Sequence, residues 1–340
     1  MTRRLLLILL AISAFSVARA QTAPLSIVLP PRLLANAQAT LAILGADGHL
    51  APGVIVDIGN GQHVTTDATG RARFTAPPDG AFIARTQGVS AAALVDAVSP
   101  PGAASVLALS TAPDVSQHDR FAICGSGLSG DVTADHVTIN GDAAFVLAAS
   151  PVCVVVLPQT RTLAGAAKIE IDAAGAHASG STSLVALDFV RPNPPLQPGR
   201  KGKLFVRAEG TVDALRIVVE NHSPDVIRFI RGDVQLLRTS GSARNQAPID
   251  VQAIRSGNFS FHARILPPPD PARAIRYLAI AESLVPKNQR NMRRALKTIA
   301  THLARQPRDA AKSRAAVEHL AASTPASSLR TLLDAAAGCL

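Results

Sequence analysis

The sequence predicts a mainly β chain with an α-helical C-terminus: β-sandwich modules in series, then a small helical bundle. Three observations carry this. Short apolar runs recur from residue 24 to residue 266, separated by turn signals about every 8–12 residues. Pro267-Pro268-Pro269 then stops the strand pattern. Beyond it the apolar period changes from two residues to 3.6, the helical repeat.

The chain opens with Arg3-Arg4, an apolar run from Leu5 to Val17, and the small-x-small triplet Ala18-Arg19-Ala20. This reads as a signal peptide over residues 1–20 for general secretion, giving a periplasmic or secreted protein. The run is too short for the ~20 residues of a stable membrane-spanning helix, and no later stretch is longer. No transmembrane segment is therefore expected after signal removal. The 340 residues include no Trp, one Tyr and ten Phe, which disfavours the aromatic platforms of carbohydrate and single-strand nucleic-acid grooves. Net charge is +10, and residues 270–340 carry twelve Lys/Arg against five Asp/Glu. Export argues against nucleic acid as the partner. An envelope or extracellular protein, or an acidic surface, fits the charge better.

Within residues 24–110, strands are expected at Leu25–Leu29, Ala39–Leu44, Val54–Ile58, Arg71–Ala76, 80–85 and 91–95. Gly59-Asn60-Gly61 and Thr66-Asp67-Ala68-Thr69-Gly70 are turns. Pro52-Gly53-Val54, then the Asp67-x-x-Gly70 turn before Arg71-Ala72-Arg73-Phe74 and Pro77-Pro78, resembles carboxypeptidase regulatory-like and bacterial Ig-like modules. The resemblance implies an Ig-like β-sandwich and brings no catalytic residue.

Residues 112–188 repeat the pattern. Phe121-Ala122-Ile123-Cys124 leads into Gly125-Ser126-Gly127; Val137-Thr138-Ile139-Asn140-Gly141 follows, then Ser150-Pro151-Val152-Cys153 and a strand ending Leu157-Pro158, then Gly165–Ile171. Of the three cysteines, Cys124 and Cys153 lie in one expected domain, each in an apolar run. In an oxidising compartment they are expected to form a disulfide, leaving Cys339 unpaired or free to link two chains. The strand order resembles an IPT/TIG domain, although Leu128 stands where an aromatic residue often follows Gly-x-Gly.

Arg191–Gly199 is a proline-rich boundary, and residues 199–266 supply strands for a third sandwich-like domain of no recognised family. Residues 270–340 form the basic bundle. Asp270-Pro271 is a helix start, and helices are expected over 270–284, 288–304, 308–322 and 325–337, the last capped by Ser323 or Thr324. In the second helix Met292, Ala295, Leu296, Ile299 and Leu303 share one face, while Arg290, Arg293, Arg294 and Lys297 cluster opposite and are the candidate contacts to an anionic surface.

No catalytic spacing emerges. The nine histidines are scattered, the Gly-rich turn at 125–127 joins strands, and Asp131, Asp135, Asp142 and Asp172 lack the D-x-D-x-D run of a calcium loop. Asn221–Asp225 is a polar loop that reads either as a binding loop or as a turn. No cofactor or metal is expected. The functional expectation is a non-enzymatic exported binding or scaffold protein of the cell envelope that presents its Ig-like modules to a protein or surface partner; docking of the basic bundle on an anionic surface is a second reading, and a hydrolase-type enzyme carrying an inter-domain site is the alternative.

Overall fold

The computed structural model describes residues 25–45, 47–97, 109–173, 176–191, 195–209, 214–230, 234–240, 246–325 and 327–340. The signal-peptide reading of residues 1–20 lies outside them. Among the described residues the chain is mainly β with four C-terminal α-helices, as expected.

Prolines build the first sandwich. Ser26–Val28 pairs antiparallel with Ala42–Leu44; after Pro30-Pro31 the chain crosses to the opposite sheet, where Arg32–Leu34 runs parallel to Leu94–Asp96. A proline pair cannot continue a hydrogen-bonded ladder, so the edge strand is divided between two sheets. One sheet then holds Ser26–Val28, Gln38–Leu44 and Arg71–Thr75; the other holds Arg32–Leu34, Val89–Asp96, Ala81–Thr86, Ile55–Gly59 and Gln62–Thr65. The second sandwich repeats the device around Pro113. Ser110–Thr111 pairs with Ile123–Cys124, and Asp114–Ser116 runs parallel to Ser183–Val185. Two facing sheets with a switching edge strand are an immunoglobulin-type arrangement. Leu33, Leu41, Ile43 and Val56 fill the first core; Ile123, Ile139, Ile169 and Ile171 fill the second.

The modules are fused rather than strung. Thr40 and Ala149 pair across the first junction, joining the sheets of modules one and two. Val28, Ala42, Leu44, Leu147, Ala148 and Val155 form a separate apolar cluster there. The Thr40 hydroxyl donates to the Gly130 carbonyl at 2.9 Å, and Arg71 donates to the Val146 and Leu147 carbonyls. Gly130 has φ +78°, and a Cβ at this position would lie 2.4 Å from the Gln38 carbonyl oxygen, so the close approach of the two modules requires glycine.

The second junction runs inside one strand. Ala176–Val190 pairs with Gly165–Ala173 through its first half, and its residues 186–190 pair with Phe205–Glu209 of the third sheet. A division at 188 and 199 therefore cuts a paired strand, and the third sandwich begins before the proline-rich segment. Leu204, Val206, Ile217, Ile249 and Val251 centre its core.

The helices are α1 (Pro271–Leu284), α2 (Arg290–Arg305), α3 (Ala310–Ser323) and α4 (Ser328–Gly338), with a 3₁₀ turn at Pro307–Asp309. The Asp270 side chain accepts from the Arg273 amide, as an N-cap should. The cap of α4 is Ser327, whose hydroxyl accepts from the Arg330 amide; Ser323 and Thr324 instead close the end of α3 by donating to the Leu320 carbonyl.

The bundle folds back onto the first module. Ala81, Ile83, Ala92 and Leu94 join its core beside Tyr277, Leu278, Leu332 and Leu333. Asp96 receives Arg32 at 2.7 Å on one oxygen and Arg276 at 2.7 Å on the other, and Arg276 also donates to the Val95 carbonyl. The Tyr277 hydroxyl donates to the Ala92 carbonyl at 3.2 Å, and burial pushes its pKa well above the ordinary phenol range, which keeps it a donor.

Candidate functional site

The sequence assigns Arg290, Arg293, Arg294 and Lys297 to one solvent-facing cluster. The structure divides them. Leu296 and Leu303 are buried and Met292 and Ile299 pack against them, which fixes the roll of α2. Arg290, Arg294 and Lys297 then stand exposed at i, i+4 and i+7, in a helix without a single acidic residue. Among the described residues none of the three has an ion-pair partner. Arg293 leaves the cluster: half-buried, it donates to the Val285 carbonyl at 2.6 Å and satisfies the C-terminal end of α1. The cluster is corrected to three cations, because the turn between α1 and α2 supplies an orphan carbonyl within reach of the fourth.

Beside these cations runs a shallow groove of about 490 Å³ between α2 and α3. Ala295, Ile299, Ala316 and Leu320 line its floor, with Arg294 and His319 among its polar walls. A basic row next to an apolar crevice can hold a partner whose acidic groups flank apolar ones.

Cys124 and Cys153 are joined by a disulfide. They sit directly opposite each other on the antiparallel strands Phe121–Cys124 and Cys153–Leu157. The Cys339 thiol is buried beside the Arg273 guanidinium at 3.1 Å, and burial pushes its pKa up. A buried, protonated thiol is poorly placed to link two chains.

A charged knot ties all three sandwiches. His262 Nε2 lies 3.5 Å from an oxygen of the largely buried Asp119. Arg120 next to it donates to the Ser26 hydroxyl of the first module. The His222 ring stacks on His262 at 6.1 Å, and Glu220 pairs with Arg264 at 3.1 Å. The Asp119 hydrogen bond raises the His262 pKa; burial opposes the charge on Asp119, yet His262 and Arg120 outweigh it and hold that carboxyl low. These groups are separated by up to 238 positions in sequence (Ser26 to Arg264) and no spacing signal reveals them.

The polar groups of the loop Asn221–Asp225 are engaged within the fold. Asn221 accepts from the Ser223 amide and donates to the Ile227 carbonyl, and Asp225 pairs with Arg255. This is the pattern of a turn that carries the chain between sheets. Asp131 accepts from Thr133 and pairs with Arg73 across the first junction. Among the described residues no three His, Cys, Asp or Glu side chains converge as metal ligands, and no helix is long and apolar enough to cross a membrane.

No family model and no curated protein matches the chain. Among solved structures it is similar to the I9–I11 tandem from titin (8% identical, covering 71% of this chain and 95% of that one, TM-score 0.21). It is also similar to the N-terminal four Ig domains of Dscam1 isoform 7.44 (11% identical, 70% and 73%, TM-score 0.23). A third is the Bacteroides ovatus protein SGBP-B in complex with a mixed-linkage heptasaccharide (10% identical, 69% and 72%, TM-score 0.23). At these scores the likeness carries no argument; the immunoglobulin-type arrangement of this chain stands on its own strand pairings.

Proposed function

We propose that the protein is an exported, non-enzymatic binding or scaffold protein of the cell envelope, periplasmic or secreted, whose basic bundle docks an acidic partner. The sandwiches, of which the first resembles carboxypeptidase regulatory-like modules and the second IPT/TIG domains, serve as a fused support that holds the bundle at one end. The observation that carries the reading is the exposed, acid-free row Arg290, Arg294 and Lys297 beside the apolar α2–α3 groove. The Cys124–Cys153 disulfide supports an oxidising compartment.

The test reverses Arg290, Arg294 and Lys297 to Glu in the mature chain, leaving Arg293 in place as the helix cap. Affinity capture from envelope extract and sedimentation with phosphatidylglycerol vesicles are compared with the parent at rising salt. Salt-sensitive binding that the triple reversal abolishes supports the reading. Binding that survives the reversal unchanged refutes it.

A further inference from the structure

On the other side of α3 lies a second, deeper space. It is a cavity of about 600 Å³ between the third sandwich and the bundle, within the range of small-molecule sites. One wall is the strand Ala214–Asn221, which contributes Arg216 and Val218. The Leu266 amide donates to the Arg216 carbonyl, so the chain leaving the sandwich stays beside this strand and brings Pro269 to the rim. The opposite wall is the 3₁₀ turn and the first turns of α3. Ala311, Arg314, Ala315 and Glu318 repeat at helical spacing, and the two alanines leave the room that larger side chains would fill.

Arg308 and Arg314 line this one space with one carboxylate side chain, Glu318; Arg216, also in the wall, has a partner of its own. Glu318 is already engaged by Arg314 Nε at 2.7 Å. Arg314 is 18% exposed, and its Nη1 is buried with no hydrogen-bond partner among the described residues. A buried cationic donor without an acceptor costs ~1–3 kcal/mol and is resolved when an acceptor arrives. Val218, Pro269 and Pro307 supply apolar surface beside the charge.

We infer that this cavity binds a small anionic ligand. The ligand carries an oxyanion head, phosphate or carboxylate, held by Arg308 and Arg314, with an apolar body resting on Val218 and the prolines. A guanidinium presents paired donors that match either head group. The site is separate from the α2 row and does not depend on it.

The experiment is calorimetric titration of the full mature chain with pyrophosphate in one arm and citrate in the other, at low salt. Arg308→Ala, Arg314→Gln and Ala311→Leu are compared with the parent. Arg308→Ala changes an exposed side chain on the turn and serves if Arg314→Gln, which gives up the Glu318 pair, perturbs α3. Saturable binding in either arm, weakened about tenfold by each arginine substitution and blocked by Ala311→Leu, supports the site. The arm that binds identifies the head group. Absence of saturable binding in both arms, or binding untouched by Arg308→Ala and Ala311→Leu, overturns it. The Arg290→Glu, Arg294→Glu, Lys297→Glu chain is the control: loss of small-anion binding there, with the cavity variants unaffected, also overturns the site and leaves the α2 reading intact.

Discussion

Asp135 offers a test of the second module's interior that is independent of any ligand. It opens the strand Asp135–Ile139 and is 1% exposed. One oxygen accepts from the Ser129 amide at 3.0 Å; the other is buried with no partner among the described residues. Burial is the main cause that pushes its pKa from 3.8 up to about 6, with nearby Asp131 adding to it. The native state therefore keeps a proton that the unfolded chain releases. Stability from this group is fully present below pH 3.8 and is lost as pH rises to about 6. Two units at about 1.36 kcal/mol each amount to ~3 kcal/mol. Other carboxylates, Asp119 and Asp131 among them, are held low and act in the opposite direction, so the total pH profile hides the effect. The difference between the parent and Asp135→Asn isolates it. Urea unfolding followed by far-UV circular dichroism, with hydrogen exchange of peptides across residues 121–157, should show the variant gaining ~3 kcal/mol relative to the parent between about pH 3.5 and pH 6.5. The sole tyrosine, Tyr277, lies in the bundle and would not report this module. A flat difference across that range refutes the buried-carboxyl argument.

Three other outcomes follow from the junctions. Removing the disulfide by Cys124→Ala with Cys153→Ala should cost ~3 kcal/mol in the chain-entropy account, and non-reducing peptide mapping should find Cys339 alkylated only after unfolding. Gly130→Ala should loosen the first junction, raising exchange in residues 38–44 and 145–150 together while the disulfide stays intact; no change would mean that the two modules do not meet there. Because Asp119 raises the His262 pKa, the contribution of their pair is complete below pH 6.5 and falls as pH climbs through the raised value. Protection at residues 117–121 and 259–264, corrected for the intrinsic rise of amide exchange with pH, should therefore fall on the alkaline side in the parent and stay level in His262→Gln.

What the sequence showed of this protein was local, and what it concealed was which local surfaces meet. Alternation in Arg71–Thr75 and the 3.6-residue period in α2 announce one buried face each, and both elements are where those patterns put them. Pro30-Pro31 and Pro113 punctuate the strands, yet nothing local says that the chain changes sheets there rather than ending. Arg293 shows the limit of a helical wheel: its angle places it with Arg290 and Arg294, but a carbonyl left open by the turn before α2 takes its guanidinium. The return of the bundle did leave a trace. In Ala81–Thr86, Phe82 and Ala84 face the sandwich core while Ala81 and Ile83 point the other way, so the strand is apolar on both sides. A strand covered on one face alone would alternate; one apolar on both needs a second cover. That cover is α1 and α4, and their docking leaves α2 and α3 outermost. The fold-back at Asp96 and Tyr277 thus brings the first and last parts of the chain together, with the acid-free row of α2 on the solvent side of the bundle and the arginine cavity between α3 and the third sandwich.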